Sequence, residues 1–179
     1  MSAVRPCELP TRSFLFIARE PGSFADCYVA EIDDAVSQTA FVEAFYTTRL
    51  FKAERLLLAL FVGKPSTDAQ ARDLAAGAAT SFAAWRVENR SPEQLLLADF
   101  TGRTRSWLMT EPVEATPGSP RTRLYFGSGV EPRTRTTDGR SAMGFGFRAL
   151  LGFHTLYSRL LLKAARSRLL ANGRTGDAS

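Results

Sequence analysis

Histidine is nearly absent from this chain, with His154 its only representative. A zinc site draws on several His, Cys or carboxylate ligands at close spacings, and the two cysteines, Cys7 and Cys27, stand twenty positions apart. No metal site is therefore expected. So few cysteines in 179 residues also argue against a disulfide scaffold and fit a reducing compartment. Lysine is scarce as well, limited to Lys52, Lys64 and Lys163, so the net charge of +5 comes almost wholly from arginine. Those arginines are scattered or stand at turn-like positions (Arg103, Arg121, Arg133, Arg135, Arg140) with no run interleaved with aromatics. That distribution reads as a solvated surface and not as a nucleic-acid interface. Long apolar runs are missing too. "RLLLALFVG" falls far short of the roughly 20 residues that span a bilayer, and "MSAVRPCELPTRS" holds no apolar signal core. A cytoplasmic protein is expected, with no integral membrane segment, no nucleic-acid partner and no cofactor.

Glycine-based nucleotide motifs are also lacking. "VGKPS" has Leu58 where a phosphate loop needs its first glycine, and Pro65 where it needs a hydroxyl. "GFGF" (144–147) and "GSG" (127–129) lack the strand, turn and helix setting of a dinucleotide site, and read as a helix start and a strand kink. "FGSGV" fails the nucleophile-elbow pattern, because Phe126 lies two before Ser128.

What is present is a clear order of elements. Residues 1–22 read as a polar N-terminal arm, in which "FLFIA" is a short strand or a packed tail. "FADCYVAEI" (24–32) alternates and favours β structure. Ser37 caps a helix over 38–47, the pair Thr47-Thr48 divides it from a second over 50–62, and Gly63 with Pro65 ends that one. Thr67 and Gln70 have capping-box spacing for a short third helix. Four strand-like runs follow, "FAAWRVEN", "EQLLLADF", "RTRSWLMTEP" and "RTRLYFGSGV". Turn chemistry at hairpin lengths separates them, which predicts an antiparallel meander. After a polar linker comes a long helix, "GFHTLYSRLLLKAARSRLL", capped at Asn172-Gly173, with 172–179 as a tail; Gly144, Gly146 and Gly152 either delay its start towards Phe147 or let the backbone approach the sheet closely.

This α+β order resembles the START-like, helix-grip fold of the SRPBCC superfamily. The resemblance rests on "DCYVAEI", "FVEAFYTTRLFKAERLLLAL", the meander from Phe82 to Val130 and "GFHTLYSRLLLKAA", with residues 23–171 as a single domain. It implies a curved antiparallel sheet wrapped around the C-terminal helix, with a cavity between them.

Leu150, His154, Tyr157, Leu161 and Ala165 line one face of that helix, and Thr155, Arg159, Lys163 and Arg166 the other. An inward imidazole needs a partner such as Asp99, Ser106 or Ser128. His154 is then either a structural tie or a proton-transfer and ligand-contact group. Trp85, Trp107, Tyr125 and Phe126 lie on strands, as core or as cavity wall. Arg105 and Arg123 either point outward or clamp an anionic ligand. The basic helix face could also rest on an anionic membrane, although the element order gives the apolar face an internal partner. The candidate ligand contacts are thus His154, Tyr157, Trp107, Trp85, Tyr125 and Arg105, with His154 the candidate catalytic group. The leading expectation is a module that binds a hydrophobic or amphipathic small molecule. An enzyme of polyketide cyclase or dehydratase type is what the resemblance implies as an alternative, and a partner-contact protein with a filled interior is a third.

Overall fold

The computed structural model describes residues 3–19, 23–63, 65–113, 119–131 and 145–176. Within these ranges the side chains of 54, 57–59, 61, 62, 145–154 and 174–176 lie outside the description. The architecture is α+β: one seven-stranded antiparallel sheet with helices on both faces. The elements run β1 (Arg5–Pro6), α1 (Phe14–Ala18), β2 (Phe24–Ile32), α2 (Gln38–Tyr46), α3 (Arg49–Val62), α4 (Asp68–Ala76), β3 (Ser81–Phe82), β4 (Trp85–Arg90), β5 (Gln94–Asp99), β6 (Thr104–Val113), β7 (Arg121–Val130) and α5 (Phe145–Gly176). No helix among the described residues is long and apolar enough to cross a membrane.

Local chemistry sets the helix ends. Ser37 accepts a hydrogen bond from the Ala40 amide and caps α2. The break before α3 belongs to two threonines. Thr47 Oγ1 donates to the Glu43 carbonyl at 2.6 Å, and Thr48 Oγ1 accepts from the Phe51 amide at 3.1 Å, so one hydroxyl closes a helix and the next opens another. Thr67 and Gln70 form the expected capping box of α4, and Gly77 ends it at φ +82°. Several elements differ from the sequence reading. "FAAWRVEN" is divided between β3 and β4 at Ala83, which has φ +53°. Helix α5 begins at Phe145, before Phe147, and runs through Gly173 to Gly176. "FLFIA" forms helix α1, since Ser13 caps it by accepting from the Phe16 amide.

In the meander β4–β5–β6–β7 each strand pairs with the next, the first two links being short turns, and β2 then pairs with β7 from Phe24↔Val130 to Ile32↔Thr122. The sheet order is β1-β2-β7-β6-β5-β4-β3, and each edge is a strand of only two residues. Short edges offer little template for unwanted pairing. On the helix side of the sheet, Tyr28, Leu95, Leu97, Leu108, Leu124 and Phe126 pack against α2 (Phe41, Val42, Phe45, Tyr46), Phe51 of α3 and α5 (Leu161, Leu162, Ala165). Phe45 lies 4.8 Å from Phe126 and Tyr46 lies 4.8 Å from Phe51, ring centre to ring centre.

The opposite face has its own apolar cluster of Cys27, Val29, Leu96, Trp107, Met109 and Tyr125, closed by Leu15 of α1. Gln94 fastens that helix. Its Oε1 accepts from the Phe14 amide at 3.0 Å and from Trp107 Nε1 at 2.9 Å, and its Nε2 donates to the Arg12 carbonyl. Gly127 and Gly129 make room for Leu15. A β-carbon on Gly127 would stand 3.0 Å from the Asp26 carbonyl oxygen, 3.0 Å from the Trp107 ring and 3.1 Å from Leu15. The strand-kink reading of "GSG" is thereby replaced by close approach of a helix. Gly127→Ala should cost about 1–3 kcal/mol through overpacking, because the backbone oxygen cannot move aside as a side chain can. Urea unfolding of the variant measures this, and an unchanged midpoint would remove the close-approach account.

Candidate functional site

Strand alternation divides the candidate residues between the two faces. Ser106, Ser128 and Asp26 are register partners across β6, β7 and β2, so their side chains share the helix-facing side with Leu97, opposite Ser106 on β5. Arg105, Trp107 and Tyr125 occupy alternate positions on the other face. A cavity of about 190 Å³ lies between the helix-facing side and α5. Phe45 and Phe51 form its wall from the helix layer, Trp85, Thr104, Arg105, Ser106, Phe126 and Ser128 from the sheet, and Tyr157, Ser158 and Leu161 from α5.

The polar part of this wall is largely self-satisfied. Ser128 Oγ donates to Asp26 Oδ1 at 2.6 Å and the Ser128 amide donates to the same oxygen at 3.2 Å. Tyr46 Oη and Ser106 Oγ share a hydrogen bond of 3.3 Å. Tyr28, beside Asp26 in the strand after it, has its phenol pushed above the ordinary tyrosine value by burial. Two buried atoms on the wall differ: Trp85 Nε1 and Ser158 Oγ have no hydrogen-bond partner among the described residues. Ser158 is wholly inaccessible to solvent. Leaving a buried donor unmatched costs about 1–3 kcal/mol, which is why such groups concentrate where something else is held.

The structure thus brings Tyr157 and Trp85 together at one cavity and places Trp107 and Tyr125 away from it. Trp107 is fully buried in the α1-side cluster with its indole N–H given to Gln94. Tyr125 Oη donates to Glu111 Oε2 at 2.7 Å. Arg105 borders the cavity, but strand alternation sends its side chain the same way as these two. Its Nε and Nη2 bind both oxygens of Glu88 at 2.7 and 3.1 Å, and its Nη1 pairs with Glu131. The Glu88 hydrogen bonds, then Glu131, hold that guanidinium above its ordinary pKa, so its charge is already matched within the fold. Arg123 also points outward, to Glu31 and Glu111. The side chain of His154 lies outside the described residues. Asp99 turns away from its suggested role and caps the β5–β6 turn, accepting from Thr101 Oγ1 and the Arg103 amide.

Sequence reading missed Ser158, Asp26 and Tyr46. Ser158 stands four residues after His154 and three before Leu161, so it falls inside a broader apolar stripe than the one first drawn. Asp26 had no signal of its own, since only the β2–β7 register brings it to Ser128. No family model, curated protein or solved structure matches the chain.

The Tyr125 phenol offers a check on this placement. Burial, and then its hydrogen bond to Glu111, push its pKa up to about 12. The folded state therefore holds the proton more tightly than the unfolded chain, where tyrosine titrates near ~10. Its contribution to stability should be complete below about pH 10 and lost as pH rises through about 12. The difference in phenolate absorbance between the native protein and Tyr125→Phe should show a midpoint near that upper value. A midpoint at the ordinary tyrosine pKa would mean an exposed ring.

Proposed function

We propose that the chain is a START-like, helix-grip binding module that holds a small, mainly apolar molecule between its sheet and α5. The observation that carries this reading is the pair of buried, unpartnered polar atoms, Trp85 Nε1 and Ser158 Oγ, on the wall of one aromatic-lined cavity. Apolar surroundings with a few convergent polar groups are the usual make-up of a ligand site. An indole N–H can only donate, whereas a serine hydroxyl does either. The matching ligand therefore carries an acceptor oxygen, such as a carbonyl, on an apolar body. Its size is bounded as well. An apolar cavity of about 150 Å³ accepts benzene, so the space here suits a single ring or a short chain.

In this reading Tyr157 is a wall contact beside Ser158. His154 keeps its proposed part as a polar contact, since its place on α5 is one turn before Ser158. Trp107 and Tyr125 have no part in it, for their hydrogen bonds are met on the other face; Arg105 borders the cavity, with its guanidinium held by Glu88 and Glu131.

The two tryptophans make the test direct. Each contributes one indole N–H resonance, and only that of Trp85 belongs to the cavity. Acetophenone, an aromatic ketone of fitting size, should shift the Trp85 resonance downfield in a ¹H–¹⁵N spectrum and leave that of Trp107 in place. Ethylbenzene, the same shape without the acceptor, should bind about 2- to 10-fold more weakly, as expected for the loss of one hydrogen bond. Ser158→Ala should weaken acetophenone by a similar factor and leave ethylbenzene unchanged. Indole resonances that ignore both probes up to their solubility limits would mean that water satisfies these donors, and the binding reading would fail.

A further inference from the structure

The sulfurs of Cys7 and Cys27 lie 3.1 Å apart, hydrogen-bonded to one another, and neither is in a disulfide. Strand pairing holds them there. β1 sets Arg5 opposite Val29 and Pro6 opposite Tyr28. The next residue continues the register, with the Cys7 amide donating to the Cys27 carbonyl at 3.0 Å. Opposed residues of an antiparallel pair have Cα atoms about 4.5–5.5 Å apart, inside the roughly 4.4–6.8 Å that a disulfide spans. The two thiols are unequal in access. Cys27 is buried in the cluster under α1, while Cys7 is half-buried at the sheet edge.

We propose that Cys7 and Cys27 form a reversible modification site, a dithiol that a peroxide converts to an intrachain disulfide, with Cys7 attacking and Cys27 resolving. The proton affinities agree with that division. The hydrogen bond from Cys27, aided by the nearby Arg5 charge, lowers the Cys7 thiol below the ordinary value. The same contact, together with burial, keeps Cys27 protonated. In the first step the Cys7 thiolate attacks one oxygen of hydrogen peroxide. The O–O bond breaks, Cys7 becomes a sulfenic acid, and the departing hydroxide takes a proton to leave as water. The Cys27 sulfur then displaces the sulfenic hydroxyl. An S–S bond forms, the S–O bond breaks, and the Cys27 proton leaves in a second water. Two electrons pass from the thiols to the peroxide, and a reducing dithiol returns them.

The bond would tie the edge strand β1 to β2 and close the segment that carries α1. This inference is independent of the cavity, which lies on the other side of the sheet.

Treating the full chain with equimolar hydrogen peroxide tests it. The oxidised protein should lose two hydrogens by intact mass, show no crosslink between chains, and resist alkylation at both cysteines after denaturation. Dithiothreitol should reverse each change. The thermal midpoint should rise by roughly several degrees on oxidation, as a constrained unfolded chain requires. In Cys27→Ser, or Cys27→Ala should serine not fold there, Cys7 should stop at a sulfenic acid that dimedone captures. In Cys7→Ser, Cys27 should stay reduced. Wild-type protein whose thiols both remain alkylatable would overturn the proposal. So would oxidation that only adds oxygen to Cys7 or links two chains.

Discussion

The pairing of β2 with β7 is the constraint on which the rest of this structure depends. The meander alone is a four-stranded run with β7 as a bare edge. Nine matched residue pairs along β2 and β7 turn that edge into an interior strand and bring the first part of the chain to the last part of the meander. Several contacts on both faces are made across that seam. Asp26 meets Ser128 there, Tyr28 comes beside Phe126, and α5 lies against both strands. On the reverse side the same seam sets Cys27 and Gly127 side by side under α1.

Both faces of the sheet are covered, and this fixes the division of labour. The α5 side combines an aromatic core with a polar row and the two unmatched donors. On the α1 side the polar groups named above are paired: Gln94 accepts from the indole of Trp107, and carboxylates take up Tyr125, Arg105 and Arg123.

Much of this arrangement was legible in the residues. Ser37, Gly63 and Thr67 marked helix ends because capping is local chemistry, and hairpin-length turns announced the meander for the same reason. What stayed hidden depended on tertiary contact. "FLFIA" is rich in residues that suit strands, and only Ser13 and the dock on Gln94 make it a helix. The orientation of the strands was equally hidden. "SWLMT" (106–110) is buried throughout, so no polar alternation tells which side chains face the cavity, and a one-residue choice exchanges Ser106 for Trp107. Tyr125 beside Phe126 posed the same ambiguity. Ser158 was overlooked because a small polar residue within an apolar stripe resembles a tolerated core position until its missing partner is seen.

The β2–β7 seam also sets a schedule for the growing chain. β2 is made long before its partner, and the stretch from Ile32 to Arg121 must follow before the ladder can form. At about 5–20 residues per second on the ribosome, that wait lasts roughly 5–20 s. Throughout it, "FADCYVAEI" has only the two residues of β1 to pair with, and it is an apolar, β-favouring segment with an open edge. A topology that closes its sheet last therefore leaves its first long strand with an open edge while most of the chain is still being made.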